Sequence, residues 1–222
     1  MHIFTLRHGQ SVANVDENNY PKLREHRVYL TDLGHQQARI GGETAGAFAR
    51  ASGLGPFRIL HSPLLRVVQT RDDFIPAFGE DLIENVFEDE RLREQDFGLL
   101  REFPDRDEQK RLFPELLTRY TRDCEAKGKV YARPPGGESR LDVLQRVRQL
   151  KDMIMQEHRD EGACHYILIA HGIVNRALEV AFLRRDMAWF ETADNHDNCQ
   201  VNHMYGSRSG DWKTETISRP KP

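Results

Sequence analysis

Two short apolar runs, each ending in a histidine followed by glycine, set the strongest limit on how this chain can fold. Met1–Leu6 leads through Arg7 into His8, and His165–Ala170 (HYILIA) leads into His171. Apolar runs of this length that are bounded by polar residues are typical of buried strands. Ligands in open α/β sheets bind at the carboxyl ends of the strands. If the two strands are neighbours, His8 and His171 face each other across one pocket.

The rest of the chain alternates strand-like and helix-like segments. Further strands are predicted at Phe57–Leu60, Leu82–Phe87, Cys199–Tyr205 and Asp211–Ile217, the last two as a hairpin or edge pair. Helices are predicted to begin at Thr31 or Asp32, at Leu64 (ending at about Phe74), after Ser139, and directly after Gly172. This alternation predicts an α/β fold, a three-layer sandwich with a mostly parallel central sheet and helices on both faces.

Two polar segments interrupt this alternation. Asn14–Val28 is predicted to be a loop, because Pro21 prevents a continuous helix. Mixed charges fill residues 88–135, where the stretch around Asp107–Tyr120 has helical character. The sequence shows no internal repeat and no interdomain linker. We therefore expect one domain over residues 1–222, with an inserted segment at residues 96–135 that acts as a substrate-selecting lid.

Charge and cysteine content disfavour several classes of protein. The 222 residues carry 32 Lys and Arg against 35 Asp and Glu, which argues against nucleic acid or an anionic membrane as the main partner. No apolar run approaches the roughly 20 residues that span a bilayer, and no secretory signal is visible. Cys124, Cys164 and Cys199 are odd in number and far apart. We expect reduced thiols, those of Cys164 and Cys199 buried, in a cytoplasmic protein.

The residues around the two histidines indicate a phosphate ligand. Arg7 and Arg66 can each present a planar fork of N–H donors that matches phosphate geometry. The helix that begins at Gly172 adds backbone donors and a dipole that favours an anion. A histidine metal site is the competing interpretation, but no metal-ligand spacing is present and the arginines would repel a cation. We expect neither a metal nor another cofactor.

Five segments together resemble one protein family. Residues 6–11 (LRHGQS) with Asn14 are similar to the signature of the histidine phosphatase superfamily, the phosphoglycerate mutase-like proteins. The other segments follow in the family's order at residues 30–38 (LTDLGHQQA), 62–70 (SPLLRVVQT), 92–98 (LREQDFG) and 169–172 (IAHG). The motif at residues 135–139 (PGGES) is also typical of the family. The resemblance spans nearly the whole chain and implies the phosphoglycerate mutase-like fold.

The resemblance implies a catalytic role for each motif residue. His8 would be the nucleophile that becomes a phosphohistidine, with its other ring nitrogen held by a backbone carbonyl. Arg7, Arg66 and His171 would bind the phosphoryl oxygens and stabilise the charge of in-line transfer. Glu94 would protonate the leaving alkoxide and then take a proton from the attacking water.

Three further residues are expected to contact the substrate or its phosphate. Asn14 would donate a hydrogen bond from its amide. Gln10 lies in the same loop as His8, and Gly172 supplies backbone at the start of the helix after His171. The expected ligand is a small phosphorylated molecule or a phosphoprotein. The sequence does not indicate an oligomeric state.

The family contains enzymes that hydrolyse phosphate esters and mutases that return the phosphoryl group to another hydroxyl. Cofactor-dependent phosphoglycerate mutases carry a Trp-containing segment after the first motif, whereas Asn14–Val28 has no Trp. Their proline-rich stretch before the Gly-Gly-Glu motif is reduced here to Pro134 and Pro135. We therefore favour a phosphomonoesterase over a mutase. A relative that only binds phospholigands or proteins is the third interpretation, and losing any key motif residue would have supported it.

Overall fold

The computed structural model describes residues 1–103, 105–162, 165–207 and 210–220. The strands are β1 (His2–Arg7), β2 (Phe57–His61), β3 (Ile83–Glu88), β4 (His165–Ala170), β5 (Val201–Tyr205) and β6 (Lys213–Ser218). The helices are α1 (Val12–Val15), α2 (Asn19–Leu23), α3 (Asp32–Ala51), α4 (Leu65–Phe78), α5 (Leu99–Glu102), α6 (Arg106–Leu112), α7 (Pro114–Lys127), α8 (Arg140–Asp160), α9 (Gly172–Leu183) and α10 (Met187–Thr192). The predicted burial of Cys164 concerns a residue outside these ranges, whereas Cys199 is fully buried.

Within the described residues, six strands form one sheet in the order β3-β2-β4-β1-β5-β6. β1 pairs in parallel with β4, β4 with β2, and β2 with β3. β5 runs antiparallel to both β1 and β6, so the predicted mostly parallel sheet and the closing hairpin are confirmed. Arg7 pairs with Ala170 across β1 and β4, and the amide of His8 donates to the carbonyl of Ala170 at 3.0 Å. This register places His8 and His171 next to each other just beyond the strand ends.

Helices cover both faces of the sheet, as predicted. On β4, Tyr166 and Leu168 pack against α8 and α9, whereas Ile167 and Ile169 pack against α3 and α4. Alternate residues of one strand therefore enter two separate apolar cores, which requires a near-continuous hydrophobic run. No helix in the described part of the chain is both long enough and apolar enough to cross a membrane.

Two predicted helix starts are confirmed by their caps. The hydroxyl oxygen of Thr31 accepts a hydrogen bond from the backbone amide of Gly34 at 3.1 Å and fixes the start of α3. Ser139 and Asp142 form a reciprocal capping box at the start of α8. The predicted apolar stripe of α8 is fully buried and consists of Val143, Val147, Leu150 and Ile154.

The prediction of a loop over Asn14–Val28 is wrong. The segment contains α1, α2 and a 3₁₀ turn at Glu25–Arg27. Pro21 does not break α2, because it lies in the first turn, where a backbone N–H has no acceptor within the helix.

α4 begins at Leu65 and extends beyond the predicted end at about Phe74, through Pro76 to Phe78, because Phe74 and Phe78 share one buried face. The helical character predicted around Asp107–Tyr120 is confirmed, in the form of two helices, α6 and α7, separated at Phe113. Pro114 begins α7 and disfavours helical backbone at the residue before it.

The loop that carries His8 lies directly against the first turn of α3. A Cβ added to Gly9 would lie 2.4 Å from the carbonyl oxygen of Gly34. A Cβ added to Gly34 would lie 2.1 Å from the carbonyl oxygen of Gln10. Both obstructing atoms belong to the backbone, so neither can move without shifting the loop. This contact therefore sets the position of His8 relative to α3.

We expect Gly34→Ala to lower the free energy of unfolding by about 1–3 kcal/mol, the usual cost of overpacking, and also to lower kcat. Gly41→Ala is the matched control on the same helix, since its nearest neighbour would be the Cys199 carbonyl at 3.3 Å. Chemical denaturation and steady-state kinetics of both variants measure the difference. Equal stability and activity of the two variants would contradict a fixed contact between the loop and α3.

Candidate active site

Two histidines and a buried arginine meet at the carboxyl ends of β1 and β4. The rings of His8 and His171 lie 5.2 Å apart between centroids and are tilted by 62°. The side chain of Arg66 is 1% exposed and contacts both rings. Its Nε lies 3.3 Å from His8 Nε2, and its Nη2 lies 3.2 Å from His171 Nδ1. The structure thus brings together these three predicted residues around one point.

His8 has the hydrogen bonds that a nucleophilic imidazole needs. Its Nδ1 lies 2.8 Å from the carbonyl oxygen of Gly9, so Nδ1 carries the proton and donates it to this bond. Nε2 therefore keeps its lone pair and accepts from Arg66. Burial, followed by the charges of Arg66 and Arg7, lowers the pKa of His8 well below the ordinary histidine value. The ring is therefore held neutral, with the lone pair of Nε2 directed at Arg66.

His171 is also held as a neutral ring. Because Nδ1 accepts from Arg66, Nε2 carries the proton and donates to the hydroxyl of Ser62 at 2.8 Å. Burial, Arg66 and His8 lower the pKa of His171 well below the ordinary value. The hydroxyl of Ser62 therefore orients the second histidine.

Arg7 and Glu94 lie close to this cluster. Arg7 donates from Nη1 to the carbonyl oxygen of His196 at 2.8 Å, while its buried Nε meets no acceptor among the described residues. Burial lowers the pKa of Arg7, and the nearby carboxylate of Glu94 opposes that shift. Glu94 follows a 3₁₀ turn at Glu90–Leu92, and its Oε1 accepts from the amide of Gln95 at 3.0 Å.

The Asn14 and Gln10 side chains have different surroundings. The Oδ1 atom of Asn14 accepts from the amide and hydroxyl of Ser11 at 3.0 and 3.1 Å, which directs its NH₂ group elsewhere. The Oε1 atom of Gln10 accepts from the hydroxyl of Thr31 at 2.9 Å. Gln10 therefore anchors the loop to the start of α3 and stands apart from the histidine cluster. Its predicted substrate contact remains a prediction.

Gly172 begins α9 directly after His171. A Cβ at this position would lie 2.5 Å from Cγ of Asn195, so only glycine allows this close packing. The first amides of a helix have no acceptor within it and carry the positive end of its dipole. The start of α9 therefore adds favourable potential for an anion beside His171.

Residues from the C-terminal part of the chain close the loop of His8. The side chain of Asn198 donates from Nδ2 to the carbonyl oxygen of His8 at 2.9 Å. The backbone amide of Cys199 donates to the carbonyl oxygen of Arg7 at 3.0 Å. These two bonds satisfy backbone acceptors at the end of β1 and in the residue after it. These hydrogen bonds were not predicted, because the sequence of a turn before a strand does not indicate which distant backbone groups the turn contacts.

Glu25 and Arg101 are site residues that were not predicted from the sequence. The Glu25 carboxylate bridges the guanidinium groups of Arg66 and Arg101, with both oxygen–nitrogen distances at 2.5 Å. Burial alone would raise the pKa of Glu25, but Arg66 and Arg101 outweigh it and lower the pKa. The guanidinium of Arg101 lies 3.9 Å from the ring centre of Tyr20 and 4.2 Å from that of Phe97. In the sequence, Glu25 and Arg101 lie in polar segments. Nothing there distinguishes them from solvent-exposed residues.

A cavity of about 440 Å³ lies next to the Glu25–Arg101 ion pair, which connects it to Arg66. Glu94 lines it, together with Tyr20, Phe97 and Arg101. The cavity therefore combines two aromatic rings with several carboxyl and guanidinium groups. It is large enough for a small organic molecule.

Comparison with known proteins identifies the family. Residues 3–218 match the model of the histidine phosphatase superfamily, branch 1. The chain belongs to the histidine phosphatase superfamily. This confirms the family that the sequence motifs indicated, and nearly the entire chain takes part in the match.

Curated superfamily members include proteins with phosphatase and mutase-like names. A phosphoglycerate mutase-like protein from Arabidopsis thaliana is 28% identical over 95% of this chain and 75% of its own length. A glucosyl-3-phosphoglycerate phosphatase from Mycobacterium tuberculosis is 30% identical over 90% of this chain and 83% of its own length. These similarities support a histidine phosphatase with hydrolase relatives.

Solved structures of the superfamily share the fold. The mycobacterial glucosyl-3-phosphoglycerate phosphatase in complex with VO3 aligns with a TM-score of 0.70 at 26% identity over 97% of each chain. The alpha-ribazole phosphatase from Shigella flexneri aligns with a TM-score of 0.75 at 17% identity, over 99% of this chain and 97% of its own. The second comparison shows the fold alone. Together with the sheet topology, they confirm the predicted phosphoglycerate mutase-like architecture.

We expect the His8 ring in the folded protein to remain neutral at pH 6, where a histidine of ordinary pKa, about 6.5, is mostly protonated. Nuclear magnetic resonance of labelled imidazole nitrogens measures this titration, and the urea-unfolded protein provides the ordinary value. Because the folded pKa is lowered, the unfolded state binds more protons below about pH 6.5. The free energy of unfolding should therefore fall as the pH drops through that window. A folded-state pKa at or above 6.5 would contradict the assigned environment of His8.

Proposed function

We propose that this protein is a phosphomonoesterase that works through a phosphohistidine formed on His8. The observation that carries the proposal is the His8 ring itself, whose neutral Nε2 faces Arg66 while Nδ1–H is held by Gly9. A fixed tautomer that leaves Nε2 unprotonated is what nucleophilic attack on phosphorus requires. The phosphatase names of several relatives support hydrolysis as the overall reaction.

In the first step, His8 Nε2 attacks the phosphorus atom as the bond from phosphorus to the ester oxygen breaks. Arg7, Arg66 and His171 bind the three peripheral oxygens, where the charge of the transition state is spread. A proton from the Glu94 carboxyl group passes to the leaving oxygen, which departs as an alcohol. Asn14 adds a hydrogen bond from its NH₂ group, which the Ser11 contacts leave available.

In the second step, water attacks the phosphohistidine from the side that the alcohol has left. Glu94, now a carboxylate, takes a proton from the water as the new oxygen–phosphorus bond forms. The nitrogen–phosphorus bond breaks, and its electron pair returns to His8 Nε2. The cycle releases inorganic phosphate and restores both the neutral imidazole and the protonated Glu94.

No metal ion takes part in this proposal. Arg7 and Arg66 supply the positive charge that a divalent cation would otherwise provide, and they would repel such a cation. The hydrolysis therefore needs neither a metal nor an organic cofactor. The half-buried Cys124 and the buried Cys199 are free thiols, which fits the proposed cytoplasmic location.

We propose a small phosphorylated molecule as substrate, with a phosphoprotein as the alternative. The cavity beside Glu94 would hold the alcohol part of the ester. Residues 96–135 contribute Phe97 and Arg101 to its wall, so this segment is suited to selecting that part, as expected for a lid. Phosphorylated sugar acids related to glucosyl-3-phosphoglycerate are the first candidates, because that compound names a relative's substrate.

Replacing His8 by Ala should lower phosphatase turnover by at least about 10³-fold, because no other group can carry the phosphoryl intermediate. Rapid quenching in alkali after mixing with a ³²P-labelled ester should trap an alkali-stable, acid-labile phosphoenzyme in the wild type alone. The assays contain excess chelator, in which wild-type activity should persist. His158→Ala, in the last turn of α8, is the matched control and should retain activity. Wild-type turnover by His8→Ala would exclude the proposed nucleophile.

A substrate screen should show phosphate release as the main reaction. The panel contains sugar phosphates, phosphoglycerates, nucleotides and phosphopeptides, and a mutase assay runs beside it with and without bisphosphoglycerate. Hydrolysis should exceed isomer formation, because the chain lacks the mutase segments near residues 14–28 and before residue 134. Isomer formation faster than phosphate release would favour the mutase instead.

A further inference from the structure

The buried guanidinium of Arg66 depends on Glu25 for its orientation. Its side chain is 1% exposed, so each N–H group needs an acceptor within the protein. Nη1 donates to the backbone carbonyl of Glu25 at 3.1 Å, and Nη2 donates to the Glu25 carboxylate. These contacts fix the plane of the group so that Nε and Nη2 lie beside His8 and His171. Glu25 therefore aims the donors of Arg66 at the phosphate site.

A carboxylate in this position also has an electrostatic cost. A phosphate ester arrives as a dianion, and Glu25 lies one guanidinium away from where it would bind. At such a short separation in a partly buried site, water screens the two negative charges only weakly. The Glu25 carboxylate and the phosphate dianion therefore repel each other strongly. If Arg66 alone faced Glu25, the carboxylate would cancel the charge that Arg66 offers to the phosphate.

Arg101 is placed to offset the negative charge of Glu25. It donates to the second oxygen of the Glu25 carboxylate, and the rings of Tyr20 and Phe97 hold its guanidinium. Burial alone would lower the pKa of Arg101, but Glu25, Tyr20 and Glu94 outweigh it and raise the pKa. Its charge also contributes to the lowered pKa of both His8 and His171, so it acts across the whole site.

We propose that Glu25 and Arg101 form a charge-compensated positioning pair for Arg66. Glu25 orients the phosphate-binding guanidinium, and Arg101 restores the positive charge that Glu25 removes. Arg66 and Arg101 with the Glu25 carboxylate leave one net positive charge beside the expected position of the phosphate. The inference rests on the proposed function in one respect, that phosphate binds beside His8 and Arg66.

The pair is tested by the binding of inorganic phosphate, measured by titration calorimetry, which needs no turnover. Arg101→Gln should weaken phosphate binding by about tenfold, because the charge of Glu25 is then uncompensated. The double variant Glu25→Gln, Arg101→Gln should recover affinity to within about threefold of wild type, since both charges are removed and the new amide oxygen can still accept from Arg66. Arg101→Lys, which keeps the charge, should also bind within about threefold of wild type.

Steady-state kinetics distinguish the role of Glu25 in orienting Arg66 from the effect of its charge on phosphate binding. Glu25→Gln should lower kcat, because its weaker acceptor orients Arg66 less firmly, while phosphate should bind at least as tightly as in the wild type, because the repelling charge is gone. Glu17→Gln and Arg119→Gln are exposed controls of matching charge change and should resemble the wild type. Thermal denaturation confirms that every variant is folded.

Three results would overturn the pair. Wild-type phosphate affinity in Arg101→Gln would show that the charge of Arg101 does not matter. A double variant as weak as Arg101→Gln, or Arg101→Lys as weak as Arg101→Gln, would show a structural role of the side chain. None of these results depends on His8, so failure of the phosphohistidine proposal would be recognised separately in the turnover of His8→Ala.

Discussion

The parallel pairing of β1 with β4 is the constraint on which the rest of the site depends. It sets Arg7 level with Ala170, so the two histidines that follow the strands share one end of the sheet. Arg66 can contact both rings only because β2 pairs with the other edge of β4 and delivers α4 to the same end. A shift of one residue in either pairing would turn side chains to opposite faces of the sheet. His8, His171 and Arg66 would then be separated.

Burial gives this site its chemistry as well as its shape. Removing two imidazoles from water next to arginines disfavours their protonated forms, so both rings stay neutral without a neighbouring base. The arginines themselves are retained in the interior by carbonyl and carboxylate acceptors, including the Glu25 carboxylate.

The sequence predicted most of the fold and the centre of the site because both rest on local patterns. Apolar periodicity located the strands, and hydroxyl caps such as Thr31 and Ser139 located helix starts. Segments with short helices and mixed charge were predicted less well, since α2 and the turn after it are stabilised by tertiary contacts. Glu25 and Arg101 are distant in sequence and meet only in the folded chain, so no local pattern could pair them.

The loop of His8 is closed by residues from the other end of the chain. β1 lies between β4 and β5, and Asn198 and Cys199 complete the backbone bonds just after β1. Every strand that pairs with β1 is therefore synthesised at least about 160 residues later. Contacts of such long sequence separation form slowly, since a large loop must close first. His8 is synthesised long before the strands that position it, so a chain that ends before β5 lacks the contacts that hold the His8 loop in place.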